Sequence, residues 1–291
     1  MLTQEQVEAY HARGYISVEG VFSDPEIEEL RRVTDEFVER SREVTENDED
    51  FDLEPGHSAA APRLRRLKHP EQLHPAYDRI FRDSRILGKV AQLVGPDIRH
   101  FSGKLNMKSA GFGSPVEWHQ DYAFCARTNE DILAVGVAID DMNLENGCLL
   151  VVPGSHRGPV YNHYQEEYFV GAVTDSGFGA EKAVPVEVKA GGITIHHGTM
   201  LHASAPNSSA TRSRRLYLLQ YCAADAWPIK NPPQDMAAFD ACIIRGKPVA
   251  APRHTDVPAV PEPAVIRPGR SGSIYESQTQ LNRPMVVAGD R

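Results

Sequence analysis

Val184 to Gly198 reads VPVEVKAGGITIHHG. Val184, Val186 and Val188 share one face of an extended chain, and Pro185, Glu187 and Lys189 share the other, so the period of two selects strand over helix. The two glycines that follow supply a turn, and ITIHH resumes an extended run. The same texture continues outward in IRHFSGKLNMKS (98–109), ILAVGVAID (132–140), CLLVVPG (148–154) and RRLYLLQYCA (214–223). Short strands separated by glycine, proline and asparagine turns, with no helical crossover between them, predict an antiparallel sandwich or barrel.

The flanks differ. Thr3 before Gln6 and Ser23 before Glu26 have capping-box spacing, so two helices are expected to start there. The second carries Ile27, Leu30, Val33 and Phe37 on one stripe at helical period. Between the helices, GYISVEG (14–20) reads as a strand. The acidic run EVTENDEDFDLE (43–54) and the HSAAAP after it are poor in large apolar residues and predict a solvated loop, with a substrate lid as the alternative. A further helix is expected over Ser84–Leu93, closed by Gly95-Pro96. Beyond Trp227 the chain is rich in proline, which suits a tail wrapped over a core or interface without regular structure. The expected organisation is one domain over 1–291, mainly β with flanking α-helices: a helical part to about 97, a β core over about 98–225 and an extension over about 226–291.

Composition narrows the function. A formal charge of −9 argues against nucleic acid as a partner, because phosphate contacts need a basic surface. The one dense basic run, RLRRLK (63–68), reads as a solvated face or a local anion contact. Neither a cationic leader with an apolar signal core nor a membrane-length apolar run is present, so a soluble cytoplasmic protein is expected. Cys125, Cys148, Cys222 and Cys242 show no C-x-x-C spacing, and reduced, mostly buried thiols are expected. Monomer and homodimer are both compatible with the sequence.

Within EWHQDYAF (117–124), His119 and Asp121 stand two apart, so on an extended strand both side chains leave one face and one metal ion takes both. Two histidines and a carboxylate form a ligand set suited to non-haem ferrous iron with open positions. GGITIHHGTMLHAS (191–204) offers the missing histidine. His196 and His197 are adjacent, point to opposite faces, and read as packed or hydrogen-bonded. His202 follows a turn among small residues and is the best third ligand. His254-Thr-Asp256 repeats the H-x-D spacing in the proline-rich tail, with no histidine after it, and is set aside.

With these pieces in place the chain resembles the phytanoyl-CoA dioxygenase family of Fe(II)- and 2-oxoglutarate-dependent oxygenases. The matching segments are AYHARGYISVEGVFS, WHQD (118–121), LENGCLLVVPGSH (144–156) and HHGTMLHASAPNSS (196–209), in family order. The resemblance implies a double-stranded β-helix, the cupin-like jelly roll, with iron on His119, Asp121 and His202. It also implies 2-oxoglutarate as cosubstrate, O2 as oxidant, ascorbate as an assisting reductant, and hydroxylation of an unactivated C–H bond of a small organic substrate with release of succinate and CO2. An arginine after the distal histidine is implied for the C5 carboxylate; Arg214 is the first choice, with Arg212 and Arg215 as rivals. Ser204 and Lys108 match positions that contact the cosubstrate in relatives. His156 is assigned no role, while Tyr122 and Phe124 read equally as pocket or core. Asp121 favours hydroxylation over halogenation, in which related enzymes carry a small residue at that position. Where relatives often carry tryptophan this chain has Gly136, which predicts a wider pocket. The competing readings are a cupin-type enzyme that does not use 2-oxoglutarate and a non-catalytic binding module on the same fold.

Overall fold

The computed structural model describes residues 1–266, 274–282 and 284–286. Two antiparallel sheets carry the core. The larger runs, from edge to edge, through Tyr15–Val18, Ile193–His197, Ile132–Ala138, Arg214–Ala223, Ile98–Lys108, Leu64–Lys68 and Phe51–Leu53. The smaller is Val184–Val186, Leu149–Val151, His202–Ser204 and Val116–His119. Strands distant in sequence are thus neighbours, as the double-stranded β-helix requires. The expected mainly-β architecture with flanking helices is the one observed.

Both capping boxes form, at Thr3 with Gln6 and at Ser23 with Glu26, and start helices Gln4–Arg13 and Asp24–Arg40. The second helix buries Ile27, Leu30, Val33 and Phe37 against the large sheet's core. Each such side chain contributes roughly 1.5–3 kcal/mol relative to exposure. Helix Ser84–Val94 ends at Gly95, close to the expected bounds.

Two expectations change. The acidic run is not a free loop: Phe51–Leu53 pairs with Leu64–Lys68, so the first 97 residues contribute strands as well as helices. The basic run is that partner strand. Arg66 bonds Asp52 at 2.6 Å, Lys68 meets Asp52 at 3.0 Å and Arg65 meets Glu54 at 3.1 Å, with both carboxylates buried. Of the two readings of the basic run, the local anion contact is the one observed, and its countercharge lies in the acidic run. The proline-rich extension also has regular pieces. Ile243–Arg245 adds to strand Ile98–Lys108, and helix Ile274–Gln278 docks beside Val116–His119. Gln278 there accepts from Glu117 N at 3.1 Å and donates to Gly171 O at 2.9 Å. The Glu117 carboxylate accepts the amides of Met285 and Val286, both at 2.8 Å. The four cysteines are free, but Cys242 is exposed. Among the described residues no helix is long and apolar enough to cross a membrane.

Candidate metal centre and cosubstrate cavity

Pairing of Val116–His119 with His202–Ser204 sets His202 directly opposite His119. The strand ends at His119, and Asp121 opens a short 3-10 turn instead of continuing it. Gln120 nonetheless keeps extended backbone (φ −127°, ψ 124°), so His119 and Asp121 still leave one side while Gln120 leaves the other. Gln120 is fixed on that far side. Its Nε2 donates to Thr199 O at 2.8 Å, its Oε1 accepts from Tyr161 N at 2.8 Å, and its backbone N–H donates to His163 Nε2 at 3.0 Å.

His119 Nε2 and His202 Nε2 lie 3.9 and 4.0 Å from the same Asp121 oxygen, and all three residues are buried. His119 Nδ1 is 2.8 Å from Glu117 O and His202 Nδ1 is 2.9 Å from Met200 O. A carbonyl only accepts, so each Nδ1 carries the proton and each Nε2 turns a lone pair toward the carboxylate. Burial pushes the His119 pKa down to about 4 and that of His202 well below its usual value, which keeps both rings neutral at pH 7. Two neutral imidazoles and one carboxylate converging on one point fit a ferrous ion with open positions.

These residues open on a cavity lined also by Lys104, His196, Ser204, Arg214, Leu216 and Ile274. Arg214 is buried, and its Nε donates to Gly147 O at 3.1 Å. Its rivals lie elsewhere. Arg215 is held by Asp140 at 2.8 Å and Asp35 at 2.8 Å, and exposed Arg212 pairs with Glu145. Gly147 adopts φ +79°, and a Cβ there would stand 2.5 Å from Ala205 O, so glycine is required where the Arg214 acceptor sits.

Lys108 departs from expectation. Its ammonium reaches Ser114 O at 2.7 Å, Ala205 O at 2.6 Å and Ser204 O at 3.3 Å, and it is absent from the cavity wall. All three donors are engaged, so it braces the end of the His202 strand instead of offering a proton to a ligand. Lys104, four residues earlier on the same strand face, takes the cavity position. Gly136 also departs: a Cβ there would lie 2.7 Å from Thr194 Oγ1 and 2.9 Å from Leu216 Cδ1, so those side chains fill the room and the pocket is not widened. His196 was set aside in the sequence with His197, yet it lines the cavity with Nε2 3.6 Å from Asp121 Oδ2. His197 bonds Thr199 Oγ1 at 2.8 Å. Tyr122 is core, its hydroxyl donating to Arg127 O at 2.6 Å. Phe124 lines a second cavity that shares Lys104, Asp121, Gln220 and Ile274 with the first. His254 and Asp256 are exposed and belong to no ligand cluster among the described residues.

A double-stranded β-helix with two histidines and a carboxylate at one cavity is the plan of the non-haem iron, 2-oxoglutarate-dependent oxygenases, and this enzyme is of that class. The chain belongs to the phytanoyl-CoA dioxygenase family, whose sequence profile matches residues 10–216. A probable alpha-ketoglutarate-dependent hypophosphite dioxygenase from Stutzerimonas stutzeri is 32% identical over 96% of this chain and 98% of its own length. An L-proline trans-4-hydroxylase from Streptomyces griseoviridis is 28% identical, covering 73% of this chain and 83% of its own. The fold is shared with EctD from S. alaskensis with bound Fe, at a TM-score of 0.67, 23% identity and 88% of each chain.

Proposed function

We propose that this chain hydroxylates a small substrate with His119, Asp121 and His202 as the iron ligands and Arg214 and Ser204 as the cosubstrate site. The observation that carries the reading is the orientation of both histidine Nε2 atoms toward one Asp121 oxygen, fixed by backbone acceptors behind each ring. Bound iron and 2-oxoglutarate together supply the oxidising power, with succinate and CO2 as coproducts. The protein's own share is placement. His119 and His202 present neutral nitrogen donors, and Asp121 supplies the single negative charge. The Arg214 fork suits the C5 carboxylate in two-point contact, and the Ser204 hydroxyl donates to the same group. Leu216, Leu218 and Ile274 restrict water on the cavity's apolar walls.

A relative named for hypophosphite widens the target from C–H to P–H bonds. The test is succinate release from 2-oxoglutarate with added Fe(II) and ascorbate, across small organic acids, amino acids and hypophosphite. Iron-dependent succinate release that disappears in Asp121→Ala is expected. No release with any of them, at full iron loading, refutes the reading.

A further inference from the structure

We propose that the substrate is a small oxyanion and that Lys104 is the residue that receives it. The inference rests on the oxygenase reading above and adds to it the charge and the partner of the substrate. Lys104 lies on strand Ile98–Lys108 and lines both cavities, together with Asp121, Gln220 and Ile274. It therefore stands where the outer cavity, walled by Phe124 and Arg66, joins the inner one that holds the candidate ligands.

What distinguishes Lys104 is that, among the described residues, no side chain or carbonyl bonds its ammonium directly. The other cations of the surrounding strands are matched: Lys108 by three carbonyls, Arg65 by Glu54, Arg66 and Lys68 by Asp52, Arg215 by Asp140. Arg214 is held at Nε and belongs to the cosubstrate in the reading above. Lys104 makes no hydrogen bond or ion pair among the described residues; it is half-buried on the wall of both cavities, and the carboxylate whose charge it feels is that of Asp121, which bound iron would engage. With the Asp121 charge taken up by iron, a half-buried ammonium there favours an anion that joins it. Gln220, on the neighbouring strand and the same two cavity walls, adds an amide donor suited to a second oxygen. An oxyanion bonded to Lys104 would hold its X–H bond, where X is phosphorus or carbon, on the Asp121 side of the cavity. In each turnover the C1–C2 bond of 2-oxoglutarate breaks and CO2 leaves. One oxygen atom of O2 enters succinate and the other enters the X–H bond to give X–OH. Two of the four electrons that reduce O2 come from 2-oxoglutarate and two from the X–H bond, so hypophosphite would leave as phosphite.

The test uses the full chain loaded with Mn(II), a redox-inert substitute for iron, and 2-oxoglutarate. Hypophosphite and methylphosphonate are titrated calorimetrically, with dimethyl sulfone as a neutral probe of similar size. The wild type is expected to bind an anion and not the sulfone. Lys104→Met is expected to weaken anion binding roughly ten- to hundredfold, the range for a charge-assisted bond, with 2-oxoglutarate affinity within threefold. Lys104→Arg is expected to restore part of the anion binding. Equal binding of the sulfone, binding of neither anion, unchanged anion affinity in Lys104→Met, or a tenfold loss of 2-oxoglutarate affinity in that variant would each overturn the proposal. Iron-dependent succinate release is read separately, so turnover driven by neutral molecules would refute the anion inference while leaving the oxygenase reading intact.

Discussion

Replacement of Arg214 by leucine tests the cosubstrate site most directly. Its guanidinium is buried, and its Nε–H satisfies the Gly147 carbonyl. Truncation therefore has two separable effects. Leaving that carbonyl without a donor costs about 1–3 kcal/mol of folding stability. Removing the cation from a buried carboxylate costs about 2–5 kcal/mol of binding, and at 1.4 kcal/mol per tenfold this is a rise in the 2-oxoglutarate Kd of roughly thirtyfold to several thousandfold. Arg214→Lys retains the charge without the planar fork and should fall between wild type and leucine. Calorimetric titration of 2-oxoglutarate into Mn(II)-loaded protein reads the binding effect, and thermal melts read the stability effect. Arg215→Leu is the control. It takes from Asp140 the closer of its two arginines, leaving Arg31 at 3.4 Å, and should lower the melting temperature, but its cosubstrate affinity should stay within threefold. An Arg214→Leu protein that binds 2-oxoglutarate within threefold of wild type, or a larger loss in Arg215→Leu, refutes the assignment.

Asp121→Ala should leave two histidines without the carboxylate and reduce bound iron at least tenfold, as measured by metal analysis after gel filtration; full occupancy would remove Asp121 from the ligand set. His163 should make stability depend on pH. Burial pushes its folded pKa to about 4, while Nε2 accepts from Gln120 N at 3.0 Å and Nδ1 donates to Tyr161 O at 2.8 Å. Because the folded pKa lies below the unfolded value of about 6.5, this contribution is complete above about pH 6.5 and is lost as pH falls toward 4, at about 1.4 kcal/mol per pH unit. Urea melts at pH 7.0 and 5.0 should differ by less in His163→Gln than in wild type, and an identical difference would rule out this histidine as a source. Gly147→Ala forces a Cβ to 2.5 Å from Ala205 O at φ +79°, so a loss of about 1–3 kcal/mol and weaker 2-oxoglutarate binding are expected; an unchanged melting temperature would contradict the packing described for that turn.

The β core was legible because period-two alternation is local, and the capping boxes and helix stripe were legible for the same reason. His119 and Asp121 could be read from their spacing together with the histidine downstream, which the equally spaced His254 and Asp256 lack, even though only one of them lies in a strand, since Gln120 keeps the backbone extended between them. What the sequence hid depended on partners far along the chain. The acidic run read as a solvated loop, and the basic run's anion partner could not be named, because a strand pairing between residues 51–53 and 64–68 is invisible to composition. Lys104 and Lys108 have the same strand parity, so alternation could not say which one reaches the cavity; the carbonyls of Ser114, Ser204 and Ala205 decide it by engaging Lys108. Neither Ile274 nor the docking of its helix had any signal in a proline-rich segment.

Val116–His119 is an outer strand of the smaller sheet, and an outer strand presents open amides to which a foreign strand can add. Here Gln278 takes the Glu117 amide, while the Glu117 carboxylate takes the amides of Met285 and Val286, so the late segment of the chain guards that border with side chains instead of a further strand. The arrangement ties solubility to chemistry. Whatever displaces Gln278, Met285 and Val286, such as a protease cut nearby, uncovers a self-associating edge on the strand that carries His119, and the protein should then clump and lose metal together.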